Sequence, residues 1–366
     1  MAQKPILLAA GGTGGHLFPA FALAEELKRR GAVVHIVTDE RVDQIGQKSP
    51  ADEMHVVPSA TLRGRNPIAI LSTVSTLGIG FLKARKLLKQ IDPQFVLGFG
   101  GYPTFPPLLA ASYLGIKCGL HDQNAVMGRA NRALARFVDV IATSFASVKY
   151  LPSSSRTKAI FTGNPVRDAV LSVADKPYPP LDPEGLLRLL IFGGSQGARF
   201  FSEFFPVALS KLEADQRQKL RVVQQCRSED LPNVKAIYAK AEIEAECAAF
   251  FSDLPERMSQ SHLIISRSGA STVAELAVCG RPAIMVPLPH ALDNDQLFNA
   301  RRLEDVNGGW ILMQNEIREE QFLSTFKALT LSPSDLQNAA NAAKSMGQPQ
   351  ARAKLADMVL SFVHSS

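Results

Sequence analysis

The sequence predicts an α/β fold in which two domains are each built on a parallel sheet. An apolar stretch typical of a buried strand runs into a glycine-rich turn and then a helix, and this unit occurs twice. The first copy begins at residue 6 and the second at residue 187. At 366 residues the chain is also longer than one ordinary hydrophobic core requires. Strands that alternate with helices in this way are typical of parallel sheets.

The composition predicts a globular protein of a reducing compartment. Hydrophobic residues make up 46% of the chain and charged residues 20%. The four cysteines are scattered without a CxxC pair, so we expect neither disulfides nor structural zinc. The amino terminus enters a strand without a long apolar segment, so we expect no export signal.

Positive charge is concentrated in the first half of the chain. Residues 1–164 carry 19 Lys and Arg against 10 Asp and Glu, a net charge of +9, whereas the remaining residues sum to −3. We expect no nucleic acid as a partner, because no basic stripe is interleaved with aromatic residues and only 7% of residues are aromatic. The pattern favours an anionic membrane surface or a lipid diphosphate.

The first glycine-rich turn, residues 11–15 (GGTGG), follows a strand and opens a helix. A dinucleotide-binding fingerprint would need a third glycine where Leu17 stands, and the chain has no Gly-Lys dipeptide, which a P-loop needs. The remaining functional interpretation is that backbone N–H groups bind an anion at the start of the helix. The alternative is a tight turn without a ligand.

Two further polar segments follow strands of the first half. Residues 98–103 (GFGGYP) follow the strand at 95–97, and residues 121–124 (HDQN) follow the strand at 117–120. We expect the second glycine turn beside the first, because the carboxyl ends of parallel strands share one sheet edge. Two sets of N–H groups would then face an anionic acceptor.

An uncharged, apolar-rich segment spans residues 66–82 and is flanked by cations. The cations are Arg63, Arg65, Lys83, Arg85, Lys86 and Lys89. The segment is shorter than the roughly 20 residues of a membrane-spanning helix. Apolar surface beside cations favours a peripheral contact with an anionic membrane. The alternative is an ordinary packed helix.

Glycine and proline mark a junction at residues 162–167 (TGNPVR). We therefore predict an N-terminal domain over residues 1–164 and a C-terminal domain over residues 165–345. The remainder, residues 346–366, has helical apolar spacing over 351–363. We expect this helix to pack back towards the N-terminal domain.

The second domain contains a strand, helix, strand unit that begins at residue 262. Its turn, residues 268–272 (SGAST), lies where a strand meets a helix start, a position that favours negative charge. Glu275 is expected in the first helical turn, where its carboxylate suits the two hydroxyls of a ribose. Gln296 follows the next strand and is expected at the same edge. The alternative is that Glu275 caps the helix and Gln296 is a surface amide.

These motifs, in this order, resemble those of the MurG-type N-acetylglucosaminyltransferases of glycosyltransferase family 28. The resemblance rests on GGTGGH, GFGGYP, HDQN, GNPVR, GGSQGAR, SRSGASTVAEL and the loop that ends at Gln296, and it spans nearly the whole chain. It implies the GT-B architecture, in which two Rossmann-like domains face each other across a cleft. It also implies inverting transfer of N-acetylglucosamine from UDP-GlcNAc to the C4 hydroxyl of the MurNAc of undecaprenyl-linked lipid I, which gives lipid II for peptidoglycan.

The resemblance further implies where the protein acts and what it binds. The expected location is the cytoplasmic face of the bacterial inner membrane, as a peripheral protein. The expected partners are UDP-GlcNAc, lipid I, the anionic membrane surface and other proteins of cell-wall synthesis.

Residue by residue, the resemblance implies contacts for both substrates. Glu275 would hold the ribose hydroxyls, the backbone around Phe251 would read the uracil, and Arg167 would lie near the base. The residues implied for the diphosphate region are Ser195, Gln196, Ala270, Ser271 and Thr272. Those implied for the transferred sugar are Asn124 and Gln296. Those expected around the acceptor are Thr13, Gly14, Gly15, His16 and Tyr102.

Displacement at the anomeric carbon needs a base for the attacking hydroxyl and stabilisation of the departing diphosphate. His16 is the preferred base because it lies beside the acceptor turn. Asp122, where the family often has Glu, is the second candidate, either as the base or as the group that orients His16. The family's paired glutamines appear here as Asp295 and Gln296, so only Gln296 is carried over.

We expect no cofactor and no essential metal for this reaction. The turn at Ser195 and the helix start near Ser271 would supply N–H groups to the diphosphate. The string Asp293-Asn294-Asp295 is of the DxD kind that binds a divalent ion in other transferases, but here it falls in the sugar loop.

Three other functions are alternatives to the transferase. A nucleotide-sugar epimerase would use UDP-GlcNAc without a lipid acceptor, and the basic, apolar first half argues against it. A non-catalytic UDP-sugar-binding protein at the membrane would not need both His16 and the polar tetrad that ends at Asn124. A nucleotide-dependent dehydrogenase is the weakest rival, because both glycine turns lack the third glycine.

Overall fold

The computed structural model describes residues 3–11, 13–40, 49–58, 67–181, 185–194 and 199–364. The chain divides into two compact units. The first consists of Met1–Arg167 and Pro349–Ser366, and the second of Asp168–Gln348.

The described residues form alternating strands and helices. In chain order the strands are β1 (Ile6–Ala9), β2 (Val34–Thr38), β3 (Glu53–Val56), β4 (Phe95–Gly98), β5 (Cys118–Asp122), β6 (Val140–Thr143), β7 (Ala159–Phe161), β8 (Leu187–Phe192), β9 (Leu220–Gln225), β10 (Glu244–Ala248), β11 (Leu263–Ser266), β12 (Ala283–Met285) and β13 (Gly309–Ile311). The α-helices are α1 (Gly14–Arg29), α2 (Pro67–Ile91), α3 (Phe105–Tyr113), α4 (Arg129–Leu134), α5 (Asp168–Ala174), α6 (Arg199–Ser210), α7 (Ala214–Gln218), α8 (Leu231–Lys240), α9 (Leu254–Gln260), α10 (Ala270–Cys279), α11 (Asp295–Glu304), α12 (Glu319–Thr330), α13 (Pro333–Met346) and α14 (Ala351–His364).

The sheet of the first unit has the strand order β3-β2-β1-β4-β5-β6-β7, and all neighbours are parallel. Successive strand residues point to opposite faces. Ile6 and Leu8 therefore pack in one cluster with α1 and α14, and Leu7 and Ala9 pack in another with α2 and α3. Because both faces are covered, the central strands are continuous apolar runs.

The sheet of the second unit has the order β10-β9-β8-β11-β12-β13, again entirely parallel. Its core joins strand residues such as Leu189 and Ile191 to the aromatic rings of Phe201, Phe205 and Phe322. The predicted α/β class with two parallel sheets is thus confirmed.

Each sheet reverses its strand order beside its first strand, between β1 and β4 and between β8 and β11. In open parallel sheets, ligands bind at the carboxyl ends of the strands at such a reversal. In the first unit the turns after β1 and β4 are joined there, since the Gly11 N–H donates to the Gly100 carbonyl at 3.3 Å. The predicted adjacency of the two glycine turns is confirmed.

The apolar segment predicted over residues 66–82 is the beginning of a longer helix, α2. The helix continues to Ile91, and Ala84 and Leu88, four residues apart, keep its apolar face buried. Within the described chain, no helix combines the length and the apolarity needed to cross a bilayer.

Candidate active site

His16 lies in the first turn of α1, in a slot walled by glycines. A methyl group added to Gly11 or Gly101 would lie 3.2 or 3.3 Å from His16 Cδ2, and one added to Gly100 would lie 3.3 Å from Cε1. Gly100 and Gly101 also have positive φ angles, 87° and 76°, which favour glycine. The glycines of the two turns therefore hold the imidazole ring between two loops.

Replacing Gly101 with alanine is expected to lower kcat by roughly tenfold or more, because a displaced base loses its reaction geometry. The φ of 76° and ψ of 164° at Gly101 also cost a non-glycine residue roughly 1–3 kcal/mol. Gly31→Ala is the matched control, since Gly31 has a φ of 83° but no atom within 4 Å of an added methyl group. Steady-state kinetics and urea unfolding should show both variants destabilised and only Gly101→Ala slowed. An equal loss of kcat in both would contradict this role for the slot.

A chain of hydrogen bonds runs from His16 into the interior of the first unit. His16 Nδ1 lies 3.0 Å from the Oε1 atom of Gln123. The Nε2 atom of Gln123 lies 2.9 Å from His121 Nδ1, and His121 Nε2 lies 3.0 Å from the carbonyl oxygen of Gly163. Both Gln123 and His121 are buried. The chain therefore connects the candidate base to a fixed backbone carbonyl.

One proton arrangement satisfies every bond of this chain. The Gly163 carbonyl only accepts, so His121 carries its proton on Nε2. Burial lowers the pKa of His121 to about 4, so the ring stays neutral and its Nδ1 accepts from the Gln123 amide. That amide N–H₂ also donates to the His121 carbonyl at 3.0 Å, which leaves the Gln123 oxygen to accept from His16 Nδ1. Neutral His16 then presents an unprotonated Nε2.

Acidification is expected to destabilise the protein through His121. Its folded pKa of about 4 lies below the usual value of about 6.5, so the unfolded chain binds the proton more readily. Stability is therefore complete above about pH 6.5 and falls by up to about 3 kcal/mol towards pH 4. Urea unfolding between pH 8 and pH 4.5 should show a smaller loss for His121→Gln than for the parent chain. An unchanged pH dependence in His121→Gln, with the exposed His290→Gln as control, would contradict this assignment.

Asp122 lies beside this chain but bonds to other groups. Its Oδ1 accepts from the Asn124 N–H at 3.1 Å, and its Oδ2 accepts from the Gly128 N–H at 3.0 Å and from Asn131 Nδ2 at 2.9 Å. Burial raises the pKa of this carboxyl, against the opposing effect of these bonds. The described contacts thus place Gln123, and not Asp122, against the His16 ring. A role of Asp122 as base stays a prediction.

The other acceptor residues lie around the start of α1. Thr13 is the exposed N-cap, and Gly14 and Gly15 are the first helical residues, whose N–H groups have no acceptor within the helix. Tyr102 begins a short 3₁₀ turn after the second glycine turn and is half-buried.

Asn164 is a candidate ligand contact that the sequence reasoning missed. It follows Gly163, the residue is 4% exposed, and within the described chain neither of its amide atoms has a hydrogen-bond partner. A buried amide without partners costs free energy, so such groups often face a ligand. Only its place in the TGNPVR motif pointed to it in the sequence.

In the second unit, Gln296 is joined to the turn after β11. Ser268 Oγ donates to the Gln296 carbonyl at 2.8 Å, and Asn299 Nδ2 donates to the Ser268 carbonyl at 3.2 Å. The Gln296 side-chain oxygen accepts from the Leu288 N–H at 2.9 Å. The expectation that the loop after β12 returns Gln296 to this edge is confirmed.

The start of α10 has the properties of an anion site. The helix begins at Ala270 behind Gly269, with Ser271 and Thr272 in its first turn. Among the described residues, the buried Ser271 hydroxyl has no hydrogen-bond partner. First-turn N–H groups and a free hydroxyl together favour a negatively charged group such as a diphosphate.

Arg267 places a buried cation beside this turn, and no sequence pattern predicted its role. Its guanidinium donates to the carbonyls of Val286 and Pro287 at 3.0 and 3.1 Å and to Gln314 Oε1 at 2.6 Å. Burial lowers the pKa of Arg267 to about 10. These acceptors are all neutral, so the positive charge suits an anionic ligand.

The predicted position of Glu275 in the first helical turn is wrong. Because α10 begins at Ala270, Glu275 is its sixth residue and lies in the second turn, where the helix dipole acts more weakly. A helix that starts at Thr272 would place Glu275 in its first turn, but Ala270 already favours a helix. Glu275 is 7% exposed.

The remaining residues predicted to bind the donor do not all lie in the second unit or in the described part of the chain. Phe251 follows β10, and the Arg257 guanidinium carbon lies 4.3 Å from its ring centroid. Arg167 belongs to the first unit, with its guanidinium carbon 5.2 Å from the centroid of Phe18 in α1. Ser195 and Gln196 lie outside the described residues.

The comparisons with known proteins cover nearly the whole chain and all indicate the same family. Residues 6–143 match the model of the glycosyltransferase family 28 N-terminal domain, and residues 188–356 match that of the C-terminal domain. A protein of Rhizobium etli strain CFN 42 is 50% identical over 362 residues, which are 98% of this chain and 96% of that protein. A protein of Methylobacterium sp. strain 4-46 is 51% identical over 361 residues, 98% of this chain and 97% of that protein. Both are named UDP-N-acetylglucosamine–N-acetylmuramyl-(pentapeptide) pyrophosphoryl-undecaprenol N-acetylglucosamine transferase.

Two solved structures are similar throughout. The crystal structure of Acinetobacter baumannii MurG has a TM-score of 0.78 and 30% identity, with 98% of this chain and 99% of that chain covered. UDP-GlcNAc 2-epimerase from Neisseria meningitidis has a TM-score of 0.67 and 17% identity, with 99% and 100% covered, and shares the fold.

Proposed function

The chain belongs to glycosyltransferase family 28, and we infer that it is the N-acetylglucosaminyltransferase that acts on lipid I. It moves N-acetylglucosamine from UDP-GlcNAc to the muramyl sugar of undecaprenyl-pyrophosphoryl-MurNAc-pentapeptide and thereby forms lipid II. The attacked position is the C4 hydroxyl, and displacement inverts the anomeric carbon. The single observation that carries the mechanism is the hydrogen-bond chain from Gly163 to His16, from which we infer that His16 Nε2 is unprotonated.

In this mechanism His16 Nε2 accepts the proton of the acceptor hydroxyl as its oxygen attacks. The bond between the anomeric carbon and the new oxygen forms while the bond to the UDP oxygen breaks. The positive charge that develops on His16 is stabilised by Gln123, whose side-chain oxygen accepts from Nδ1. Gln123 and His121 are positioning residues, because they act on the substrate only through His16.

The leaving diphosphate is stabilised by groups at the start of α10. These are the first-turn N–H groups, the Ser271 hydroxyl and the positive charge of Arg267. We propose that these charges and dipoles are sufficient without a metal ion. Glu275 holds the ribose, Phe251 reads the uracil through its backbone, and Asn124 and Gln296 hold the transferred sugar. The Arg167 contact with the base is part of the same proposal.

The membrane contact is assigned to an exposed face of α2. Ile79 and Leu82 are exposed there, and Lys83 and Lys86 follow at helical spacing on the same side. Tyr113 at the end of α3 adds an exposed ring, 5.6 Å from the guanidinium carbon of Arg85. Apolar burial and attraction of lysines to anionic lipid add in such a contact. This face suits a peripheral protein of the cytoplasmic leaflet, where lipid I is presented.

Leu82→Glu is expected to weaken binding to anionic vesicles by roughly tenfold or more, because it removes a leucine burial worth about 1.5–3 kcal/mol and adds repulsion. Leu331→Glu is the matched control, since Leu331 is also an exposed leucine but lies after α12 in the second unit. Sedimentation with phosphatidylglycerol vesicles measures both. An equal loss of binding in the two variants, or none in Leu82→Glu, would contradict the assignment.

The function itself is tested by transfer of radiolabel from UDP-GlcNAc to a short-chain lipid I analogue, with and without a chelator. Labelled lipid in both conditions supports the metal-independent transferase. Consumption of UDP-GlcNAc without a lipid product would indicate an epimerase. Binding of UDP-GlcNAc without consumption would indicate a non-catalytic protein.

A further inference from the structure

Two histidines and a glutamate meet at the edge of the first sheet, away from His16 and its partners. His35 is in β2, and Glu53 and His55 are in the edge strand β3. The parallel register pairs His35 with Glu53. Glu53 and His55 are two residues apart, so they share a face of β3. Strand geometry therefore brings the three side chains to one point.

The separations of their nearest atoms suit a shared ion. His35 Nδ1 and His55 Nε2 are 3.2 Å apart and share a hydrogen bond, which a metal ion would replace, and Glu53 Oε2 lies 3.9 Å from the first and 3.7 Å from the second. The carboxylate is therefore beyond hydrogen-bond distance of both rings. A circle through the three atoms has a radius of about 2.1 Å, which follows from these separations. Zinc bonds to histidine nitrogen and carboxylate oxygen are about 2.0–2.2 Å long.

We propose that His35, Glu53 and His55 form a zinc site that fastens the edge strand β3 to β2. Two imidazoles and one carboxylate are a donor set that zinc uses, with a fourth position left for water. The exposed Glu53 side chain leaves that position open to solvent.

This site is separate from the transfer reaction and has no part in it. The expectation of no structural zinc rested on the cysteine pattern, and these ligands include no cysteine. They come from two strands whose register the sequence alone does not give. An ion here would stabilise the β2 and β3 pair in the folded chain only, so its binding free energy adds to folding stability.

The test is titration of the chelator-treated protein with Zn²⁺ by calorimetry, with Co²⁺ absorption to report the coordination geometry. We expect one ion per chain, a tetrahedral Co²⁺ spectrum and a higher thermal midpoint with zinc. His55→Gln and Glu53→Gln should each weaken binding by roughly tenfold or more, since even outer partners of metal ligands are worth that much. Glu53 is exposed, so Glu53→Gln tests the site without risk to folding.

His290→Gln is the control, because His290 is an exposed histidine elsewhere in the chain. Binding that disappears in the Glu53 and His55 variants but persists in His290→Gln supports the site. No saturable zinc binding, or equal binding in all variants, would overturn it. Transfer activity with chelator present is measured alongside, and its loss would count against the proposed function rather than against this site.

Discussion

Replacing His16 with alanine is expected to lower kcat by about 10²–10⁴-fold, the usual contribution of a general base. The KM for UDP-GlcNAc should change little, because His16 acts on the acceptor hydroxyl, whereas Glu275 and the start of α10, which are proposed to hold the ribose and the diphosphate, belong to the second unit. His16→Gln should lose a similar factor, since an amide donates and accepts hydrogen bonds but takes no proton at neutral pH. Steady-state kinetics with a soluble lipid I analogue gives both constants.

Glu275→Ala provides the contrast for the His16 variants. Loss of the ribose contact should mainly raise the KM for UDP-GlcNAc, with a smaller effect on kcat. If His16→Ala instead weakened donor binding and Glu275→Ala instead stopped turnover, both assignments would be wrong.

Replacing Gln123 with leucine is expected to be the second most harmful change, with kcat lowered by roughly 10- to 100-fold. Leucine neither accepts from His16 Nδ1 nor donates to His121, so the His16 ring loses the bond that fixes its tautomer and orientation. The unpaired buried His121 Nδ1 should also cost about 1–3 kcal/mol of stability. Kinetics and urea unfolding measure the two effects.

The variant Gln123→Glu distinguishes a role of Gln123 in positioning His16 from a role in folding alone. A carboxylate still accepts from His16 Nδ1 but no longer donates to His121. We expect it to retain more activity than Gln123→Leu, because the contact with His16 Nδ1 is kept and only the bond to His121 is lost. Equal losses of kcat in Gln123→Glu and Gln123→Leu, in proportion to their losses of stability, would show that Gln123 supports the fold only.

The two parallel sheets and the family followed from the ordered motifs, and both are confirmed. Glycine turns and strand ends are local features, so the sequence locates them well. That the glycines of these turns enclose the His16 ring was harder to predict. Gly100 and Gly101 wall the His16 ring, and that contact joins residues far apart in the chain.

The partner of His16 was harder to predict, although a signal existed. Residues 121 and 123 alternate with residue 122 along an extended segment, so His121 and Gln123 share a side that Asp122 does not. Asp122 was predicted as the partner because acids commonly orient a catalytic histidine. The proximity of the proposed zinc ligands on β2 and β3 depends on the register of the sheet, which sequence patterns do not give. The position of the Arg267 guanidinium depends on its burial in the folded chain, which sequence patterns do not give either.

In the proposed mechanism, the buried hydrogen-bond chain from Gly163 to His16 leaves His16 Nε2 free to accept a proton. Nitrogen-15 NMR of the protein with labelled histidines reports the protonated nitrogen of each ring directly, and His16→Gln and His121→Gln assign the two signals. We predict that at pH 7.5 neutral His16 carries its proton on Nδ1 and His121 carries its own on Nε2. We also predict that His121 stays neutral until about pH 4. A His16 ring protonated on Nε2 instead of Nδ1, or a His121 ring protonated on Nδ1, would contradict the account.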